Sequence, residues 1–352
     1  MPRALLIGGT GQIGTATAHR LLQHGWTVHL TGRDPANMPT DLTEAGATFT
    51  TAHRDNPSQL ADALGDGADL LLDCLCYTTA DAQLLLPLAA NATSTVMISS
   101  KAVYVDDHGN HSNSPTPPRY THPVRETQTT LAPRTDIPYN TRDGYGPNKV
   151  AAEHTLLDSD HPITILRPSR IHGIGAGRPR EWHFVKRALD QRPAILLTNR
   201  GTGTVHPTAA TNIAALIETA AHQPGQRILN SADPDAPTAL DISRTITNHL
   251  GHTWDEILLD DTAPTHLGHH PWESTAPVIL DTTAALQLGY QPVGDYATTV
   301  TPLVDWLSNK AQGGVGEKTL PGLNDPYFDT LFDYSAEDTY LAVRSTEQNP
   351  TR

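Results

Sequence analysis

The chain has little of what marks secreted and membrane proteins. It contains only two cysteines, Cys74 and Cys76, and side chains two positions apart on a strand point the same way, so they do not readily form a disulfide. No apolar run approaches the length of a membrane span, and Met1 to Gly14 lack the features of a signal peptide. We therefore expect a cytoplasmic protein without a membrane partner.

Basic residues are also scarce. The chain has 24 Lys and Arg against 38 Asp and Glu, a net charge of -14, which repels phosphate backbones and predicts no nucleic-acid partner. Histidine is abundant, with 18 copies, and His266, His269 and His270 lie close together in the sequence. Their spacing matches no standard ligand pattern, so we interpret them as surface histidines and expect no metal site.

Apolar runs alternate with helical periodicity along the first half of the chain. This alternation predicts an α/β fold, a doubly wound parallel sheet of the Rossmann-like type with a smaller C-terminal substrate lobe. The runs interpreted as strands are 3–8, 26–30, 69–75, 94–99 and 163–166, and the first helix is expected at 12–24.

The length of 352 residues exceeds what one hydrophobic core usually accommodates. We expect a dinucleotide-binding domain over 1–166, to which 203–231 returns, a substrate lobe over 167–202 and 232–308, and a tail or docked helix over 309–352. Residues 105–142 carry no periodic pattern and predict a long loop, which we hypothesise closes over the substrate.

The turn after the first strand reads Gly8-Gly9-Thr10-Gly11-Gln12-Ile13-Gly14. Glycines at Gly8, Gly11 and Gly14 would permit a tight turn, the approach of a pyrophosphate and close packing of helix on strand. An ordinary tight turn is the alternative if the pattern is considered alone.

Arg33 follows the second strand, where an acidic residue would bind the ribose of NAD and an arginine the 2'-phosphate of NADP. We therefore favour NADP(H), while NAD(H) remains an alternative in which Arg33 is a solvated loop residue.

Hydroxyl and amine groups follow in an order that suggests redox chemistry. Ser99 and Ser100 end an apolar strand, and Tyr145 and Lys149 are one turn apart at the start of a predicted helix. A nearby ammonium and an oxidised nicotinamide would favour the phenolate of a tyrosine base. Each pair occurs by chance elsewhere, but the order of all these features in one chain makes coincidence a poor explanation.

This combination resembles the extended short-chain dehydrogenase/reductase family, which includes NAD-dependent epimerases and dehydratases. The resemblance implies that Tyr145 is the acid/base, that Lys149 holds the nicotinamide ribose and lowers the pKa of the tyrosine, and that Ser100 orients the reacting oxygen. It also implies a homodimer formed through helices near 80–90 and 145–157. The cofactor-binding residues expected are Gly8, Thr10, Gly11, Gln12, Ile13, Gly14, Arg33, Asp55, Leu75, Cys76, Ser99, Tyr145, Lys149, Pro168 and Ser169, with Asp55 at the adenine.

Two departures from the family pattern narrow the reaction. Lys101 follows Ser100 where family dehydratases have an acid, which disfavours dehydration and leaves redox chemistry or epimerisation. Asn212 stands where an acid is usual downstream of Val205-His206-Pro207. The alternative function, a non-catalytic dinucleotide sensor or nucleic-acid-binding relative, is opposed by the intact Tyr145 and Lys149 pair.

The substrate is expected to be a small molecule, either a nucleotide sugar or a specialised metabolite. Four basic residues beyond the fifth predicted strand could meet a diphosphate, or could equally be solvated loop charges. They are Arg170, Arg178, Arg180 and His183. We expect a substrate cavity to be lined by five residues of the long loop, namely Arg119, Tyr120, His122, Arg125 and Glu126.

Overall fold

A computed structural model describes residues 1–312, 328 and 331–348 of the chain. Its main sheet is formed by β1 (Arg3–Ile7), β2 (Thr27–Gly32), β3 (Thr48–Thr51), β4 (Ala68–Asp73), β5 (Ala92–Ile98), β6 (Ile163–Pro168) and β10 (Arg227–Ser231). All neighbouring strands are parallel, in the order β10-β6-β5-β4-β1-β2-β3.

The strands β7 (Arg170–His172) and β9 (Pro207–Ala209) pair in a separate two-stranded sheet. The helices are α1 (Gln12–Gln23), α2 (Thr40–Glu44), α3 (Pro57–Leu64), α4 (Thr79–Ala89), α5 (Tyr145–Leu157), α6 (Trp182–Leu189), α7 (Ala210–His222), α8 (Ala239–Leu250), α9 (Thr283–Gln287), α10 (Tyr296–Gln312) and α11 (Ser335–Gln348).

Helices cover both faces of the main sheet, and successive side chains of a strand enter different cores. Leu6 and Leu72 belong to one apolar cluster, which includes residues of α1 and α7, whereas Leu5 and Leu71 belong to a second cluster with residues of α3, α4 and α5. The predicted doubly wound parallel sheet is therefore confirmed.

The chain divides into two compact units. The first comprises 1–171, 206–235 and 278–296, and the second comprises 172–205, 236–277 and the described part of 297–352. Residues 278–296, predicted for the substrate lobe, thus lie in the first unit. The reason is hydrogen bonding, since the backbone of Val124 pairs with that of Leu280 and Asn212 donates to the Gly294 carbonyl at 2.8 Å.

The second unit contains a short parallel pair, β8 (Ala194–Leu197) with β11 (Asp255–Leu258). In the same unit, α11 contacts α6 through an ion pair of 2.7 Å between Glu337 and the buried Arg187. Of the predicted tail, 309–312 continue α10 and 331–348 contain α11, whereas 313–327, 329–330 and 349–352 lie outside the described residues. None of the helices in the described part of the chain is long and apolar enough to cross a membrane.

The predicted long loop contains no helix or regular strand between Val105 and Arg142. It is nevertheless anchored, because the Val105 amide donates to the Thr129 carbonyl at 3.0 Å and the Leu131 amide donates to the Val103 carbonyl at 2.8 Å. Closure of this loop over a substrate stays a prediction. Three of the five side chains considered for a cavity bond within the first unit instead: Tyr120 to the Tyr104 carbonyl, Arg125 to Asp281, and Glu126 to the Asn230 amide.

Candidate active site

The glycine-rich turn lies between β1 and the N-terminus of α1. Gly8 has a φ of +73°, which favours glycine, and the Gly8 and Gly9 amides both donate to the Thr31 carbonyl, at 3.1 and 3.2 Å. Helix α1 begins directly after Gly11 and has no acidic residue in its first turn. The amide groups and the dipole at such a helix N-terminus are suited to an anion.

The three motif glycines differ in what an added side chain would meet. A Cβ at Gly14 would lie 2.5 Å from the Gly9 Cα, and one at Gly8 would lie 2.6 Å from the Leu75 Cγ, so the fold itself requires both glycines. A Cβ at Gly11 would meet only the Gly8 carbonyl oxygen, at 3.5 Å. No other contact within 4 Å of that Cβ is found in the described protein, so the backbone at Gly11 is open enough to fit the pyrophosphate of a dinucleotide.

This difference predicts opposite effects for two alanine substitutions. Gly11→Ala should leave the free energy of unfolding nearly unchanged, since the backbone at Gly11 is extended, but should weaken dinucleotide binding by more than about tenfold by blocking the pyrophosphate. Gly14→Ala should instead cost about 1–3 kcal/mol of stability through overpacking. Chemical denaturation and equilibrium titration of both variants check this, and loss of stability in Gly11→Ala would contradict it.

Ser100 and Tyr145 meet beside the carboxyl end of β5. Ser100 follows that strand, Tyr145 begins α5, and the Ser100 side chain is close enough to the Tyr145 phenol to act on its pKa. Burial has the larger effect and raises the pKa of Tyr145, while Ser100 opposes the increase. Tyr145 is therefore a protonated phenol at neutral pH, adjacent to a hydroxyl that can hold the same substrate oxygen.

Lys149 lies one helical turn beyond Tyr145 and is 1% exposed. Its ammonium donates to the carbonyls of Cys76 at 2.7 Å and Ile98 at 2.8 Å. Burial lowers the pKa of Lys149, against nearby negative groups that raise it. In the protein alone, burial of the phenol raises the pKa of Tyr145. The lowering of that pKa by Lys149 together with an oxidised nicotinamide stays a prediction.

A buried ion pair holds the elements that carry these residues. Glu153, on α5, pairs with Arg167 of β6 at 2.5 Å, and their side chains are 1% and 4% exposed. Glu153 also accepts a hydrogen bond from the Ser99 hydroxyl. The Arg167 guanidinium lies 4.9 Å from the ring centre of Tyr104. The Glu153 carboxylate thus joins α5, which begins with Tyr145, to the ends of β5 and β6, where Ser100 and Pro168 lie.

The other predicted cofactor residues also belong to the first unit, which includes all of 1–171. Arg33 is exposed directly after β2, and its side chain forms no hydrogen bond or ion pair with the residues that the structure describes. Asp34, beside it, accepts a hydrogen bond from the Ala36 amide at 2.9 Å. Pro168 and Ser169 are buried at the end of β6.

Asp55, predicted at the adenine, is an exposed turn residue. Its neighbour Arg54 points inward and pairs with Asp73 at 2.6 Å. Asp73 is fully buried at the end of β4, and burial raises its pKa despite Arg54. Leu75 packs over Gly8, and Cys76 supplies a carbonyl to Lys149.

The late motif around His206 serves the fold of the first unit. His206 Nδ1 accepts from the Leu280 amide at 3.2 Å, so its Nε2 donates to the Asp233 carbonyl at 2.8 Å, and burial lowers the pKa of this imidazole. Asn212 donates to the Asp233 carboxylate at 2.8 Å. An amide at position 212 is thus suited to this carboxylate, where an acid would repel it.

Two of the basic residues considered for a diphosphate are placed differently within the second unit. His183 is buried and its Nδ1 lies 3.1 Å from the Arg187 guanidinium, whereas Arg178 is exposed.

Of the three histidines interpreted as surface residues, His266 and His269 are exposed, but His270 is buried, so that interpretation is wrong for His270. Among the described residues, no group of three or more His, Cys, Asp or Glu side chains is arranged to hold a metal ion.

Sequence reasoning missed several residues around the site. Glu153 follows Lys149 by four positions, a spacing that places both on one face of α5 and could have signalled a shared role. Tyr77 contacts Lys149 through its ring, and no sequence signal pointed to this. No sequence signal pointed to the ion pair of Arg54 with Asp73 either, because the path of the chain after β3 determines whether these side chains meet.

Comparison with known proteins places the chain in a family. The model of the NAD dependent epimerase/dehydratase family matches residues 4–230, most of the sequence, and the chain therefore belongs to that family. No curated protein sequence matches the chain.

Solved structures of similar fold include several nucleotide-sugar enzymes. UDP-N-acetylglucosamine 4-epimerase from Bacillus cereus is 17% identical with a TM-score of 0.67, covering 87% of this chain and 99% of its own. UDP-glucose 4-epimerase from Stenotrophomonas maltophila, with bound NAD and formylated UDP-arabinopyranose, is 19% identical with a TM-score of 0.68, covering 89% and 100%. dTDP-glucose 4,6-dehydratase from Bacillus anthracis, in complex with NAD, is 16% identical with a TM-score of 0.64, covering 89% and 97%. At these identities the likeness shows the fold.

Proposed function

We propose that this protein is an NAD(P)-dependent oxidoreductase or epimerase that acts at a secondary alcohol or ketone carbon of a small molecule. The observation that carries the proposal is the Ser100 side chain beside the Tyr145 phenol, with Lys149 one turn further along the same helix. The open space at Gly11 supports the binding of a dinucleotide.

The nicotinamide, when bound, would supply or accept the hydride. Tyr145 would give its proton to the carbonyl oxygen of a ketone, or take the proton of an alcohol, while Ser100 fixes the position of that oxygen. Lys149 would hold the nicotinamide ribose. Because burial raises the pKa of Tyr145, its protonated form persists to higher pH than for a free phenol, which suits carbonyl reduction at neutral pH.

The reaction is tested with NADPH and NADH carrying deuterium at the transferable C4 position. The protein is incubated with panels of ketones and of UDP-, GDP- and dTDP-sugars, and products are examined by mass spectrometry for the label. Deuterium at a carbinol carbon supports a reductase. Epimerised sugar without label, together with tightly retained NAD, supports an epimerase. Dinucleotide binding without turnover on any panel member would instead favour a non-catalytic sensor.

We propose NADP(H) as the preferred cofactor because Arg33 is exposed where the adenosine ribose is expected, and Asp34 is engaged by a backbone amide. Arg33→Ala should weaken NADPH binding by about 10- to 100-fold, the value of a charge-assisted contact, and leave NADH binding unchanged. Arg134→Ala, at another exposed arginine, is the control. Equal losses for both cofactors would contradict this assignment.

We further propose that the protein is a homodimer formed through α4 and α5, without a nucleic-acid or membrane partner. Sedimentation equilibrium checks the dimer, and a monomer at micromolar concentration would contradict it.

A further inference from the structure

Tyr77 lies between β4 and α4, beside the candidate catalytic residues but outside the set that the sequence predicted. The Lys149 ammonium is 4.2 Å from the centre of the Tyr77 ring, well within the range of a cation–π interaction. The ring centre of Tyr145 is 6.4 Å from that of Tyr77. Tyr77 thus contacts one member of the proposed catalytic pair and borders the other.

The carboxylates and carbonyls near Lys149 do not replace the interaction of the Tyr77 ring with its ammonium. Asp73 pairs with Arg54 and Glu153 with Arg167, so these carboxylates already have a cation. Two N–H groups of Lys149 donate to the Cys76 and Ile98 carbonyls. The Tyr77 ring attracts the positive charge as a whole and does not occupy an N–H group. The third N–H group of Lys149 is therefore left for a ligand hydroxyl.

Tyr77 also contacts the long loop. Its ring stacks on that of Tyr139, with centres 5.0 Å apart and planes inclined by 18°. Because one face of the ring meets the ammonium, we assign the Tyr139 contact to the other face. The backbone of Tyr77 is fixed by a hydrogen bond of 3.0 Å from its amide to Asp81, and Tyr139 is 41% exposed. Tyr77 therefore connects a buried lysine to an exposed loop residue.

We propose that Tyr77 is a positioning residue, which holds Lys149 in place through the face of its ring and couples that lysine to the 105–142 loop through Tyr139. The proposal rests on the proposed function, in which Lys149 contacts the cofactor. It predicts that the conformation at Tyr139 influences dinucleotide binding, although Tyr139 itself need not touch the dinucleotide.

The ring contact is tested by NMR without any cofactor. The chain has only five lysines, Lys101, Lys149, Lys186, Lys310 and Lys318, so labelling their ε-carbons gives few resonances, and replacing the other four by arginine in turn assigns Lys149. We expect a ring-current shift for Lys149 that is kept in Tyr77→Phe and lost in Tyr77→Leu. Phenylalanine is the matched control, because the Tyr77 hydroxyl forms no hydrogen bond with the described residues. The other lysine resonances report whether each variant is folded.

The functional coupling is tested by titrating NADPH and NADH onto the same full-length variants. Tyr77→Leu should weaken binding by about 3- to 30-fold and Tyr77→Phe should match the wild type. Tyr139→Ala should weaken binding less, and its effect should largely disappear in the Tyr77→Leu background. Unchanged or tighter binding by Tyr77→Leu, or a Lys149 resonance that ignores this substitution, would overturn the proposal. If the wild type binds no dinucleotide, the proposed function fails, and the NMR comparison alone decides whether Tyr77 holds Lys149.

Discussion

Tyr145→Phe is expected to reduce turnover by about 10²- to 10⁴-fold, the usual contribution of a general acid or base. The substitution removes only the hydroxyl, on which Ser100 acts, and the remaining ring can keep its place beside Tyr77. The dissociation constant of the dinucleotide should therefore stay close to that of the wild type. The measurement is the rate of label transfer from deuterated NADPH to a ketone that the screen identifies.

The pH dependence provides an independent check of the same residue. Since burial raises the pKa of Tyr145, the proton donor is present throughout the neutral range, and ketone reduction should stay level until the pH exceeds the range of a free phenol. Alcohol oxidation needs the phenolate and should rise over the same alkaline interval. Tyr139→Phe, which removes a nearby hydroxyl outside the proposed catalytic set, is the control. Full activity of Tyr145→Phe would exclude this residue as the acid/base.

Glu153→Ala is expected to lower the free energy of unfolding by about 3–5 kcal/mol, because it leaves the buried Arg167 without its carboxylate. Both side chains are almost inaccessible, at 1% and 4% exposure, so water cannot replace the lost partner. The Ser99 hydroxyl loses its acceptor as well. Chemical denaturation followed by circular dichroism measures the change.

Two further variants separate the ion pair from a general effect of mutation. Asp136→Ala removes the partner of Arg134 in an exposed pair, with side chains 65% and 50% exposed, and should change stability by less than about 1 kcal/mol. The double variant Glu153→Leu with Arg167→Met has no unpaired buried charge and should recover part of the stability. A Glu153→Ala protein as stable as Asp136→Ala would contradict the role assigned to this pair.

The sequence predicted most of the buried strands and several helices, because burial on both faces of a parallel sheet requires apolar runs and helices show their own periodicity. Helix α5 was placed at its observed bounds, Tyr145–Leu157. Strand β3 was missed because it lies at the edge of the sheet with mostly exposed threonines, and its sequence Thr-Phe-Thr-Thr contains no apolar run.

Candidate site residues could be predicted wherever short-range spacing decides their position. The turn at Gly8 to Gly14 and the pair Tyr145 and Lys149 are of this kind. Contacts such as that of Tyr77 with Tyr139 depend on the path of an irregular loop, which periodicity does not reveal. The effect of burial on the pKa of Tyr145 was equally out of reach, since the extent of burial is set by the tertiary fold.

The most direct test of a dinucleotide site in this chain is an equilibrium titration of NADPH and NADH onto the wild type and Gly11→Ala, after removal of any nucleotide that copurifies. We predict saturable one-to-one binding to the wild type, tighter for NADPH, and binding weakened by more than about tenfold in a Gly11→Ala protein of unchanged stability. A wild type that binds neither dinucleotide, or a Gly11→Ala protein that binds as tightly as the wild type, would contradict the account.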